Sequence, residues 1–481
     1  MTKPGLRQSA FKSMQWTVGG RLLKSLLGMG TLVIVARYLS PAEFGIMALV
    51  MFITGFGQIF VDAGLRVALV QRAEINELQK NTVFWSSIVF SILLVVLTIV
   101  FAGPIARAFD AERIEPFVRW MSIVFPLAAL QSISTTTLER RFAFDKMAIS
   151  DILASLAGVV TAITLVVAGF GILGLVLQQL VQASLGCAIQ MSMARWRPRL
   201  EFSWTEFRSL MGYGIYVMLT SITTFLTTFL DRPIIAGFFT PQVLGQLTMS
   251  QQLVGSPFRI VVQMARKVLF PMFASIQHDR ARVAAAYLDM QFAMSCLMAP
   301  LCLGLVAMAA PLVSVLLGPE WAPAVPLIQI LGIQMLCTPT QDTNQTVLAS
   351  LGFAKFQFYW MLIAGSLSLG VMIPAAPWGI EAAVGARLAF LLFVTTPLLS
   401  VYTMRQMGLH WTSLPRVLSG PILSAVAMNL IVGWVARQLS LSDVATLVIC
   451  IPLGVMIYVP LIFLLDRKRV LTLVNLVRRR R

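Results

Sequence analysis

Thr17, Arg21, Lys24, Gly28 and Thr31 follow one another at steps of 4, 3, 4 and 3 inside a mostly apolar stretch. That spacing sets all five on one face of a helix. Ser221, Thr224, Thr228 and Asp231 form a comparable row 200 residues on. Further rows are Gln252, Ser256, Arg259 and Gln263; Gln334, Thr338, Gln341 or Asp342, and Gln345; and Thr54, Gln58 and Asp62. The chemistry open to such rows is binding. Guanidinium and ammonium groups hold anions, and Arg grips phosphate oxygens in a bidentate fashion. Amides and hydroxyls exchange hydrogen bonds, and a carboxylate binds or titrates.

Nothing in the chain adds catalysis to this. No G-x-x-x-x-G-K-[ST] loop is present, so no ATP hydrolysis is expected from this chain, and neither H-E-x-x-H nor G-x-S-x-G occurs. No nucleophile stands beside a base, and no enzyme and no cofactor are expected. His278 and His410 fall in separate loops. Cys187, Cys296, Cys302, Cys337 and Cys450 lie singly in apolar surroundings without metal spacing. They read as small core residues, and no metal is expected.

The elements that carry the polar rows are membrane spans. The chain has 481 residues, 58% hydrophobic and 12% charged, where a soluble protein holds about a quarter charged residues. Its mean hydropathy is +0.83. Continuous apolar runs of about 20 residues recur along the whole length, which is the length of a bilayer-crossing helix. The runs do not alternate, so helices rather than a barrel are expected. About fourteen spans are predicted, near 15–37, 43–65, 82–104, 114–136, 148–168, 172–194, 210–238, 242–264, 286–312, 323–346, 357–376, 379–402, 417–438 and 443–465. The basic N-terminus runs straight into the first of them, with no cleavage site, and is expected to stay.

A formal charge of +17 raises the prospect of nucleic acid, which is rejected. The basic residues sit between spans and in the Arg478–Arg481 tail, without a soluble domain to present them. With the N-terminus inside, Lys and Arg in inside loops outnumber those outside by about seven to one. Both termini are therefore expected in the cytoplasm, with anionic membrane lipids against the basic loops.

Leu39–Gly45 reads L-S-P-A-E-F-G, and Phe239–Gly245 reads F-T-P-Q-V-L-G. A hydroxyl residue before Pro is helix-start chemistry. At nearly the same offset, Q-S-I-S-T-T-T-L from Gln131 matches Q-D-T-N-Q-T-V-L from Gln341. The expected build is all-α: a six-span bundle over 1–205, a second over 206–410, and two appended spans with a basic tail over 411–481. Even-numbered halves give parallel repeats.

A charge at mid-bilayer costs about 2.5–3.5 kcal/mol, so the buried rows must face a wet cleft or a partner. Helix–helix contact competes for the Ser, Thr and Gln positions. Snorkelling competes for Arg21 and Lys24, and a local pair competes for Asp231–Arg232. Recurrence of the rows in both halves favours a central cleft. Its cations are Arg21, Lys24 and Arg259, with Arg119 and Arg387 as further candidates, against Asp62, Asp231 and Asp342. Such a cleft suits an anionic cargo rather than drug cations.

A-R-Y-L-S-P-A-E-F-G over Ala36–Gly45, then a long apolar span ending D-A-G-L at Asp62–Leu65, resembles the polysaccharide transporter family. These are flippases of the Wzx type for lipopolysaccharide and exopolysaccharide, the colanic-acid exporter type included. They belong to the multidrug/oligosaccharidyl-lipid/polysaccharide superfamily. The resemblance implies a polyprenyl-pyrophosphate-linked oligosaccharide turned from the cytoplasmic to the periplasmic leaflet of a bacterial inner membrane. It also implies rocking of the halves, driven by an ion gradient of H+ or Na+. On this view Arg21, Lys24 and Arg259 attract pyrophosphate. Gln252, Gln334, Thr338, Gln341 and Asp342 meet the glycan, and Asp231 or Asp62 senses the coupling ion. Polysaccharide assembly machinery is an expected partner. A lipid II or multidrug exporter of the same fold, or a membrane glycan polymerase or ligase, are the alternatives. The polymerase or ligase is disfavoured by the short outside link at 104–113.

Overall fold

The computed structural model describes residues 6–438 and 441–478, and within these all side chains except 6–18, 21, 22, 257, 259–268, 270, 271 and 473–478. The described residues form helices and turns and no strand. Twelve helical segments are long and apolar enough to cross a membrane, and the chain is a multi-pass membrane protein. We number the long segments in chain order: α1 Leu6–Ala36, α2 Pro41–Val61, α3 Glu77–Ala108, α4 Ile114–Arg140, α5 Phe144–Val167, α6 Ile172–Ala194 and α7 Trp204–Phe229. Then come α8 Pro241–Ile276, α9 Arg280–Ala307, α10 Pro319–Ser350, α11 Ala354–Trp378, α12 Ile380–Gln406, α13 Ser413–Gln438 and α14 Asp443–Leu465. The twelve are these without α1 and α8, two long helices that fall where the first and eighth spans are expected.

The chain forms two compact units, Met1–Gly245 and Gln246–Arg481. In the first, α5 packs along both α6 and α1, and α4 lies against α3 and α6. Its core joins Leu65, Leu69, Val83, Phe84, Ile133 and Leu210. In the second, α13 packs along α9 and α14. Phe292, Ala299, Met428, Val432, Cys450 and Tyr458 make one continuous apolar cluster there, and the Tyr458 hydroxyl donates to the Cys296 carbonyl at 3.0 Å. The five cysteines are free thiols, four of them buried.

The repeated motif is helix-start chemistry, as its composition predicts. Ser40 caps α2 with a full capping box. Glu43 returns its carboxylate to the Ser40 N–H at 2.8 Å, and Pro41 takes the first turn. The second copy begins α8 at Pro241. Its glycines explain why both copies end in Gly. A Cβ on Gly45 would fall inside the Pro241 carbonyl oxygen, and a Cβ on Gly245 inside that of Pro41. The two helix starts lie against each other, each backbone filling the space that the other glycine leaves.

Three spans differ in detail from the sequence expectation. The span expected over 323–346 is broken: helix Val325–Met335 ends, and a second runs Thr338–Ser350 with Pro339 in its first turn. The span expected over 114–136 divides between Met121 and Val124. The span expected over 210–238 is α7 followed by a separate helix, Asp231–Phe238. The link expected at 168–172 is a turn with Gly169 and Gly171 at positive φ, whereas that expected at 374–379 is the helical end of α11, closed by Gly379 at positive φ.

Candidate functional site

The polar rows divide by what each side chain touches. On α1, Lys24 is exposed, and Gly28 faces open space with nothing within 4 Å of a Cβ. Thr31 is buried and donates to the Leu27 carbonyl at 2.8 Å. The Arg21 and Arg259 side chains lie outside the described residues. On α2, Thr54 is buried and bonds to Val50, while Gln58 is exposed.

Asp62 caps the end of α2. Its carboxylate accepts from the Gly64 N–H at 3.1 Å and pairs with Arg66 at 3.6 Å, and Arg66 in turn meets Glu139 at 3.0 Å. Asp231 is 2% exposed at the start of its short helix. Phe225, six residues before Asp231, rests on Phe52 and Phe56 of α2, and Asp62 follows the last turn of that helix. The hydroxyls of Ser221, Thr224 and Thr228 are exposed on α7, each satisfied by a carbonyl one turn back at 2.7–2.9 Å.

In the second unit, Gln252 is half-buried on α8, and Asp342 is half-buried in the second part of α10. The Thr338 hydroxyl rests on the Met335 sulfur at 3.7 Å. Gln334 keeps its Oε1 buried, with no hydrogen-bond partner among the described residues. Gln341 donates its amide to the Thr396 hydroxyl at 2.7 Å, which ties α10 to α12. The break at Leu336–Cys337 means that Gln334 and Gln341 belong to two helices, so they do not form one unbroken helical row.

Two polar systems escaped the sequence reading. One is a buried chain in which the Tyr287 hydroxyl donates to Asn344 at 2.7 Å and the Asn344 amide donates to Ser400 at 2.9 Å. It pins α10 between α9 and α12. Gln291, 1% exposed, adds a contact to the Thr340 carbonyl at 3.5 Å. The single signal was a Gln and a Tyr inside an apolar span. The other is a belt in the first unit, where Arg72 meets Glu206 at 3.2 Å, Arg140 bonds the Val70 and Ala73 carbonyls, and Trp196 meets Glu77 at 2.9 Å. Basic residues that the sequence assigns to inside loops here fasten one loop to another. A cavity of about 980 Å³ lies between α9–α10 and α13–α14, its largely apolar wall interrupted by Gln329, Asn429, Arg437, Asp443 and the hydroxyls of Ser314 and Thr446.

Among the described residues no cluster of three or more His, Cys, Asp or Glu could hold a metal ion. The arrangement offers hydrogen-bonding and charged surface within apolar helices, which is equipment for carrying a polar solute.

The same architecture is found in solved transporters. A structure titled lipid II flippase MurJ in an inward closed conformation superposes with a TM-score of 0.78, covering 94% of this chain and 99% of that one at 13% identity. An inward-facing multidrug resistance MATE transporter gives 0.60 over 80% of this chain and 94% of its own. The fold is that of the multidrug/oligosaccharidyl-lipid/polysaccharide exporters. Residues 34–326 match the family described as polysaccharide biosynthesis protein, and the chain belongs to that family. The succinoglycan biosynthesis transport protein ExoT of Rhizobium meliloti (strain 1021) is 26% identical over 100% of this chain and 98% of its own. The lipopolysaccharide biosynthesis protein WzxC of Escherichia coli (strain K12) is 22% identical over 83% and 81%.

Proposed function

We propose that the protein is an alternating-access flippase that moves a polyprenyl-pyrophosphate-linked oligosaccharide from the cytoplasmic to the periplasmic leaflet of a bacterial inner membrane. The observation that carries this is the end-to-end match to a protein named for succinoglycan transport. The flippase fold supports it. In the proposal the repeats are 1–205 and 206–410, with 411–481 appended, fourteen spans in all and both termini cytoplasmic. Arg21, Lys24 and Arg259 take the pyrophosphate. Gln252, Gln334, Thr338 and Asp342 meet the glycan, and Gln341 joins them with its carbonyl oxygen and second N–H while Thr396 takes the first. Asp231 or Asp62 responds to an H+ or Na+ gradient. The lipid tail follows α13 and α14, a placement favoured by the largely apolar wall of the adjoining cavity. Partners are the lipid-linked cargo, anionic lipids and the polysaccharide assembly machinery.

The test is rescue. The gene is placed in a strain lacking its exopolysaccharide flippase and in one depleted of its lipid II flippase. Surface polysaccharide restored in the first, with lysis unrelieved in the second, is the expected result. The reverse pattern refutes the proposal in favour of lipid II export.

A further inference from the structure

The first unit holds a second cavity, of about 610 Å³, at the point where the two copies of the repeated motif meet. Ala42 and Pro241, first-turn residues of α2 and α8, form part of its lining. The crossed Gly45 and Gly245 bring these helix starts into contact and so close that side. The last turn of α3 and the link to α4 supply its charge: Arg107, Asp110, Glu112 and Arg113 all line it, joined by Thr240 and Gln242. Asp110 turns this link at φ 45°. Two cations and two anions thus stand within seven consecutive positions, yet among the described residues no ion pair joins them to one another. All four are exposed and line the same space.

The mix of groups selects the ligand. A site for bare phosphate has no use for two carboxylates, since they repel it. A site for a drug cation has no use for two arginines. A sugar ring presents hydroxyls, which donate to carboxylates and exchange hydrogen bonds with Thr240 and Gln242. An acidic substituent on that ring pairs with Arg107 or Arg113. The volume lies within the ordinary range for small-ligand pockets, about 300–1,000 Å³.

We propose that this cavity is a binding site for an acidic saccharide. The proposal rests on the flippase reading, in which the link at 104–113 faces the periplasm. There the site receives a charged sugar of the cargo on the periplasmic side of the first unit.

The test uses the purified full-length chain in detergent and calorimetric titration with three probes: an oligogalacturonate, a neutral malto-oligosaccharide and inorganic pyrophosphate. We expect the acidic oligosaccharide to bind at least about tenfold more tightly than the neutral one, and pyrophosphate not to displace it. Arg107→Ala with Arg113→Ala weakens acidic binding at least about tenfold, the scale of a lost charge-assisted contact. Asp110→Asn with Glu112→Gln weakens both saccharides, and unchanged melting temperatures show both double variants folded. No binding by the unaltered chain, equal affinity in the Arg107/Arg113 variant, or full displacement by pyrophosphate overturns the proposal. Export is followed in parallel in the rescued strain. Normal export without saccharide binding sinks the cavity assignment and leaves the flippase intact; saccharide binding without rescue does the opposite.

Discussion

At the scale of single residues, the intramembrane charges carry the proposed function. Arg259→Ala and Arg21→Ala should each cut surface polysaccharide while protein level on immunoblots stays unchanged. Normal polysaccharide in the double variant would remove both from the binding path. The two acids are expected to behave differently. Asp62 already serves Gly64 and Arg66 at the end of α2, so Asp62→Asn should act first on stability, lowering the melting temperature in detergent. Asp231 opens a short helix and is 2% exposed. Asp231→Asn should flatten the dependence of export on the H+ or Na+ gradient. A gradient dependence unchanged in Asp231→Asn and lost in Asp62→Asn would reverse that assignment.

At the scale of elements, two contacts decide how helices lock. The crossed glycines leave no room for a side chain, so Gly45→Val or Gly245→Val must push α2 and α8 apart. Both should lower the yield of folded protein. Gly385→Ala, at a position in α12 with nothing within 4 Å, should be neutral or stabilise by about 0.5–1 kcal/mol through helix propensity. Equal behaviour of the three variants would show that the close approach does not matter. The Tyr287–Asn344–Ser400 chain is the second lock. Asn344→Leu strands two buried hydroxyls at about 1–3 kcal/mol each, a loss that thermal melting in detergent will register as a drop of several degrees.

At the scale of the whole molecule, the asymmetry of Lys and Arg predicts orientation. Glu74→Cys and Arg113→Cys are expected to react with a membrane-impermeant thiol reagent from opposite sides. Whole cells should label the Arg113 position, and opened vesicles are needed for Glu74. Labelling of both in whole cells would discard the topology on which the directional reading depends.

Much of the architecture was legible without coordinates, because a bilayer forces each crossing segment to be long, apolar and helical. That requirement writes itself into local composition, so the α-helical class, the places of twelve of the expected spans and the helix-start motif at Ser40–Gly45 could all be read from the chain. Side-chain partnership is not local. Whether Gln341 lines a path or ties α10 to α12 depends on Thr396, 55 positions away. Spacing assumes an unbroken helix, and Pro339 with the turn at Leu336–Cys337 breaks the one that carried the longest glutamine row. The same holds for the echo of Leu39–Gly45 in Phe239–Gly245. The sequence alone announced that it was repeated, but only the tertiary structure decided that the copies touch and wall a charged cavity, since contact between segments 200 residues apart is set by packing and leaves no periodic trace along the chain.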